Sequence, residues 1–170
     1  AYLQKIKDAG YSVALANRHL KFAFTVGTSF YGDVAKLRAF RALWSKVIDG
    51  MGVDNPPLAN ISAHTDITTM TSSASENQLS LNLQALAADM GGADLLFLAP
   101  AEGQFAPATE AGRKMARNVR HAFRPQGGLA TEAKVDHVYL DNLTIALVRA
   151  AWARYKTIEK QGGFAEAADF

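Results

Sequence analysis

The chain of 170 residues is long enough for one domain with its own apolar core, and its 49% hydrophobic and 20% charged residues are ordinary for a globular protein. With 18 basic and 16 acidic residues the formal charge is +2, too balanced to argue for nucleic acid or an anionic membrane, and no apolar run approaches the roughly 20 residues that span a bilayer. The absence of cysteine excludes disulfides, thiolate metal sites and cysteine nucleophiles, and it fits a cytoplasmic protein.

Residues 1–9 read as the tail of a helix stopped by Gly10. The opening Ala1-Tyr2-Leu3-Gln4-Lys5-Ile6-Lys7 does not read as a secretory leader. Starting without Met and inside a helix, it suggests a piece of a longer chain, with Met removal before Ala as the competing explanation. Residues 20–26 read as a strand. Val34, Leu37, Phe40, Leu43, Trp44, Val47, Ile48 and Met51 then recur at three- and four-residue spacing and predict a long helix over about 30–50. Ser29 or Asp33 can serve its N-terminus, and Gly50, Gly52 and Asn55-Pro56-Pro57 end it.

Ala59 to His64 reads as a short strand, followed by a Ser/Thr-rich loop from Thr65 to Ser75. Leu79, Leu83, Leu86, Ala87 and Met90 mark a second long helix, stopped by Gly91-Gly92. Leu95-Leu96-Phe97-Leu98 is continuous and apolar, as buried parallel strands are. Thr109 caps a helix from Glu110 to about Phe123, whose stripe of Arg113, Lys114, Arg117 and Arg120 reads as a solvated or interface face. A loop over Arg124 to Asp136 leads to a final helix from about Asp141 to Gln161, ended by Gly162-Gly163.

Strands separated by helices predict an α/β fold with a parallel sheet. A closed eight-stranded barrel takes about 250 residues, and three strands are visible here. The residues alone leave two readings open, a small three-layer α/β domain or part of a barrel. No phosphate-binding glycine loop and no G-x-S-x-G elbow occurs.

The wording of several stretches adds to this. Gly27-Thr28-Ser29-Phe30-Tyr31-Gly32 leading into Asp33-Val34-Ala35-Lys36-Leu37-Arg38-Ala39-Phe40-Arg41-Ala42-Leu43-Trp44 resembles the barrel domain of the cobalamin-dependent methylmalonyl-CoA mutase family. Asn77 with Leu86 to Asp94, Ala116-Arg117-Asn118, Tyr139-Leu140-Asp141-Asn142-Leu143-Thr144 and Ile158 to Phe164 are similar to further family motifs, in the same order. The resemblance covers nearly the whole chain. It implies the last three strands of a TIM (β/α)8 barrel, as a single partial domain over residues 1–170.

The resemblance also shows what is altered. The family's catalytic subunit closes one of these strands with Arg-x-His-x-Gln, where this chain has Ser62-Ala63-His64-Thr65-Asp66. His19 stands near the position of a second family Arg, and Leu98-Ala99-Pro100 replaces a His-Thr-Asn. A thioester with a free carboxylate calls for bidentate cation recognition, which Arg gives and Ser cannot. His64, Ser62, Asp66 and His19 are therefore the candidate substrate-binding residues, with His64 as a residual contact to an acyl carbonyl. A metal site from His64, Asp66 and His19 is conceivable by residue type, but nothing fixes its spacing, so none is expected.

Lys36, Arg38 and Arg41 are read as solvent-exposed or packed on a neighbouring barrel element, and His121 and His137 as exposed. The cobalt-ligating D-x-H-x-x-G of the family is absent from these residues; Asp136-His137 has the wrong spacing. The resemblance therefore implies the noncatalytic small subunit, which pairs with a catalytic large subunit or with another copy of itself. It further implies that adenosylcobalamin belongs to the holoenzyme and is not bound by this chain. The alternatives are a divergent acyl-CoA mutase barrel and a domain that binds coenzyme A esters. Three parallel strands cannot close, so Phe22, Phe24, Ile61, Leu96 and Leu98 are expected to line an inward face that only association would cover.

Overall fold

The computed structural model describes residues 2–122 and 137–163. Its elements are α1 (Tyr2–Asp8), α2 (Val13–His19), β1 (Lys21–Val26), α3 (Phe30–Asp49), β2 (Asn60–Thr65), a 3-10 turn (Ile67–Thr69), α4 (Ala74–Met90), β3 (Leu95–Phe97), α5 (Glu110–Ala122) and α6 (His137–Lys160). The strands form one sheet in the order β1-β2-β3, and both pairings are parallel. This is the α/β arrangement of an arc of a βα barrel. The loop expected over Arg124 to Asp136, the helix end at Phe123, and Phe164 lie outside the described residues.

The register assigns every strand residue to a face. Lys21 pairs with Asn60 and Thr25 with His64, while Ser62 pairs with Leu95 and His64 with Phe97. Side chains alternate along a strand, so Phe22, Phe24, Val26, Ile61, Ala63 and Leu96 share one face. That face carries the helices: Val26, Leu37, Ile61, Ala63 and Ala88 form a fully buried cluster with Phe24, Phe40 and Leu96 against it. Phe22 meets Trp44 edge-on at 4.5 Å and Phe40 at 4.7 Å. The expectation that Phe22, Phe24, Ile61, Leu96 and Leu98 line an inward, uncovered face is therefore corrected. The strand residues among them point to the helices, and the uncovered face is the other one.

α3 is held from both ends by its polar residues. Ser29 makes no capping bond with its side chain. Buried Asp33 instead accepts from the Gly27 N–H (2.8 Å) and from Lys36 Nζ (2.6 Å), which also donates to the Thr25 carbonyl (2.6 Å). Arg41 donates to the carbonyls of Ala59 and Gly92 and pairs with Asp94 at 2.8 Å. Asp94 accepts from the Ile61 N–H at 2.7 Å. Arg38 donates to the Met90 carbonyl (3.2 Å). The three basic residues thus stitch α3 to the βα and αβ connections.

The glycine pair after α4 has two separate causes. A Cβ on Gly91 would stand 2.7 Å from Leu37 Cδ1 and 2.9 Å from its Cβ, so only glycine lets α4 end against α3. Gly92 has φ +79°, which glycine adopts without strain.

α6 packs against α3. Leu140 is fully buried with Val34, Ala35 and Ala87, Tyr139 meets Tyr31 edge-on at 5.5 Å, and Lys46 sits 4.6 Å over the Trp152 ring. α6 begins at His137, about one turn earlier than the sequence suggests.

Three further expectations change. α2 has no counterpart in the sequence reading; Ser12 caps it, its side chain accepting from the Leu15 N–H. On α4, Leu79 and Leu83 are 66% and 51% exposed, and the buried stripe is Asn77, Leu81, Gln84, Ala85 and Ala88. β3 is only three residues long, and Leu95 and Phe97 are 43% and 48% exposed, because one sheet face and one strand edge have no cover among the described residues.

Candidate functional site

The uncovered sheet face carries Ala23 and Thr25 from β1, Ser62 and His64 from β2, and Leu95 and Phe97 from β3. The C-terminal strand ends lie on the side where barrel enzymes keep their chemistry. Its centre is a small ordered group. The His64 ring stacks on Phe97 at 4.7 Å and 14° between planes, and His64 Nε2 lies 3.1 Å from Ser62 Oγ.

Ser62 Oγ donates to the Phe22 carbonyl at 3.4 Å. A hydroxyl has one proton, so the network assigns the proton of the second bond to His64 Nε2, which donates to Ser62. Ser62 is then no activated nucleophile, since its proton is spent on a backbone carbonyl and His64 is not poised to take it.

The remaining predicted residues are drawn elsewhere. Asp66 lies beyond the strand, where its Oδ1 accepts from the Thr68 N–H (3.1 Å) and hydroxyl (2.6 Å) and caps the 3-10 turn. Its own N–H donates to the Val26 carbonyl. His19 is exposed in the last turn of α2, before β1. Lys21 pairs with Asn60, four residues before His64, so His19, which precedes β1, and His64 belong to opposite ends of the strands, and the stretch from Asn60 to His64 alone rises about 13 Å. Ser62 and His64 are brought together; Asp66 and His19 do not join them. Among the described residues no cluster of three His, Asp or Glu could hold a metal ion.

The site does not fit cobalt ligation either. His64 Nε2 is engaged with Ser62 and its ring lies on Phe97, and the Asp66 carboxylate is committed to Thr68. No arginine of the described residues belongs to this face, so a free carboxylate placed over His64 would meet no bidentate cation. Asp136 lies outside the described residues.

Behind the strand ends stands a clamp that the sequence reading did not assign. Asn77, 2% exposed, bonds the Thr71 N–H and carbonyl (2.8 and 2.7 Å) and the Ala101 carbonyl (2.8 Å). It ties the loop after β2 to the loop after β3. Thr65 Oγ1 accepts from the Ala99 N–H (3.0 Å) and does the same from the sheet. A buried side-chain amide just after a Ser/Thr-rich loop is the signal that could have found it.

At the other margin, α5 places Glu110 against Arg113 (3.1 Å) and Arg117 (3.0 Å), which hold its carboxyl below the ordinary glutamate range. Glu102, half-buried, accepts from the Thr109 hydroxyl, and this bond lowers its pKa.

The motif residues thus divide by task. Asp33, Lys36, Arg38, Arg41, Asn77, Gly91, Gly92, Asp94 and Leu140 hold strands and helices together, whereas the altered positions Ser62 and Asp66 lie at the strand end. Relatives named as small and as large subunits both match the chain. The chain is 33% identical, over its whole length, to the "Probable methylmalonyl-CoA mutase small subunit" of Mycobacterium tuberculosis, of which it covers 29%. Over 98% of its length it is 28% identical to the methylmalonyl-CoA mutase large subunit of Propionibacterium freudenreichii subsp. shermanii, covering 24% of that protein. Over a similar share it is 25% identical to a methylmalonyl-CoA mutase small subunit of Porphyromonas gingivalis, covering 28%. It therefore spans less than a third of the curated relatives it matches. The family model described as methylmalonyl-CoA mutase matches residues 1–169. With that match and a third of its residues shared with a relative along its full length, the chain belongs to the methylmalonyl-CoA mutase family.

Proposed function

We propose that the chain is part of a methylmalonyl-CoA mutase assembly of the noncatalytic small-subunit type, with a structural role in pairing with a catalytic large subunit. One observation carries this: at the strand end, Ser62 is bonded to backbone and to His64, and among the described residues no arginine belongs to the sheet face beside the imidazole. A mutase must hold the carboxylate of its acyl group while the thioester carbonyl reacts. This surface can offer a carbonyl contact at most. That the relative at 33% identity is named a small subunit supports the same reading. The sheet face and strand edge left uncovered among the described residues call for a covering partner, and the interface should exceed about 2,000 Å². A cytoplasmic setting accords with a chain without cysteine; among the described residues no helix is long and apolar enough to cross a membrane.

The test is sedimentation of the 18.3 kDa chain with and without a large subunit of the same organism. A heteromeric complex at micromolar concentration is expected. A monomer that ignores the large subunit and does not self-associate would overturn the pairing role. In parallel, the chain mixed with adenosylcobalamin and methylmalonyl-CoA should show no turnover and no cob(II)alamin signal. Calorimetry with coenzyme A esters separates the alternatives. Heat of binding without turnover would point to an ester-binding domain, and binding with turnover to a divergent catalytic barrel.

A further inference from the structure

The ring of His64 is held on two sides by its own sheet. His64 and Phe97 are register partners on β2 and β3, and their rings stack at 4.7 Å with 14° between planes. Ser62 Oγ, two residues upstream on the same face, accepts from His64 Nε2 at 3.1 Å. Successive residues of one strand face lie about 6.6 Å apart, so this bond turns Nε2 back toward the start of β2 and away from the strand end. Ser62 is itself fixed, since its hydroxyl donates to the Phe22 carbonyl of β1. Across the other pairing the partners are small, with Thr25 beside His64 and Ala23 beside Ser62. The large side chains stand on β3, where Leu95 pairs with Ser62 and Phe97 with His64. The imidazole is thus drawn to one side of its row, by contacts that lie wholly within the described residues and do not depend on what completes the wall.

We propose that Phe97 and Ser62 form a latch that parks His64, an autoinhibitory contact that withholds the strand-end imidazole from a ligand carbonyl. The inference rests on the noncatalytic reading argued above and names the residues that withhold the contact. An imidazole that serves a carbonyl needs an N–H aimed at it within about 3 Å. In the parked ring the Nε2 proton is spent on Ser62, and one ring face is covered by Phe97. Presenting that proton at the strand end takes another side-chain rotamer, which breaks both contacts. One stacked pair and one hydrogen bond together bias such a two-state equilibrium by roughly tenfold or more. A ligand that needs the minor rotamer binds more weakly by the same factor, because its apparent affinity is scaled by the competent fraction. Withholding the contact therefore takes no change of the histidine, only an aromatic ring on β3 and a hydroxyl on β2.

The experiment uses the full-length protein without the large subunit. Nitrogen NMR of labelled histidine, with His64 identified by the signal lost in His64→Gln, should show an Nε2–H whose exchange with water is slow. Phe97→Ala/Ser62→Ala should speed that exchange about tenfold or more. In calorimetry with methylmalonyl-CoA the double variant should bind at least about tenfold tighter than wild type, with each single variant between. Adding His64→Ala should return the affinity to the wild-type level. Circular dichroism confirms that each variant folds, and Phe97→Leu/Ser62→Ala, which keeps an apolar side chain without a ring, stands in if the alanine pair does not. A wild-type His64 with Nε2 free of Ser62 would overturn the latch, as would a released variant that binds no tighter than wild type. A gain that survives His64→Ala also overturns it, since the ester would then merely fill the space of the ring. Turnover by the wild type would remove the noncatalytic reading and the latch with it, whereas failure to pair with the large subunit in sedimentation touches that reading alone.

Discussion

The two faces of the sheet follow opposite rules. On the helix side, Val26, Ile61 and Ala63 have no exposed surface, and the connections behind them are knotted by Arg41, Asp94 and Asn77. On the other side, Ala23, Thr25, Leu95 and Phe97 are exposed, and order is confined to one histidine, one serine and one ring. The difference separates two demands on a barrel wall. The outer face must hold together by itself, and the inner face is finished only by the rest of the wall.

Leu37→Ala should give the largest effect. Leu37 is fully buried between α3, α4 and the strands, and its truncation should cost about 2–5 kcal/mol in urea unfolding. A loss below about 1 kcal/mol would mean that the helix-side core is looser than its burial indicates. Gly91→Ala adds atoms to the same contact and should cost about 1–3 kcal/mol by overpacking. Thermal melts of both variants check that the close approach, rather than the turn, requires glycine at 91.

The margin at α5 should respond to acid. Glu102 and Glu110 both titrate below their ordinary values, through the Thr109 hydroxyl and through Arg117 and Arg113 respectively. A lowered carboxyl contributes stability above its unfolded pKa and loses it as pH falls through the folded one. Acidification below the ordinary glutamate range should therefore loosen α5 before α3. Amide exchange, extrapolated for its intrinsic pH dependence, would show α5 protection falling first; Glu110→Gln should blunt the effect. The smallest expected change in stability is at Phe97→Ser, within about 0.5 kcal/mol, since the ring is exposed. If that variant unfolds readily, the open face already supports the fold of the isolated chain.

Much of the helix side was legible. α3 announces itself by a long apolar period, and β1 and β2 by short runs between turn residues. Three things were not. A period of two separates the faces of a strand but does not say which one meets the helices, so nothing in the alternation tells that Phe22 and Phe24 turn to the helix side. On α4 the leucines at 79 and 83 form a stripe next to the buried one, and the buried stripe contains Asn77 and Gln84, whose polarity hides it. α2 is too short for any period to emerge. At the site, the pairing of Ser62 with His64 was legible from their spacing of two on one strand. The withdrawal of Asp66 into a turn was not, because it depends on Thr68 and on where β2 ends.

The contact between Arg41 and Asp94 has a consequence for the order of events as the chain folds. It links residues 53 apart in sequence and also fixes the Ile61 N–H between them. It cannot close until both crossovers have brought their strands into register, so it demands the loop-closure entropy of both. Such a contact belongs to the late, downhill side of the barrier. Asp94→Ala should therefore speed unfolding several-fold while leaving the refolding limb of the chevron nearly unchanged. A slowed refolding limb would place the contact in the nucleus instead. Late closure makes Arg41–Asp94 a lock on the lifetime of the folded arc, with little influence on how fast the arc is first assembled.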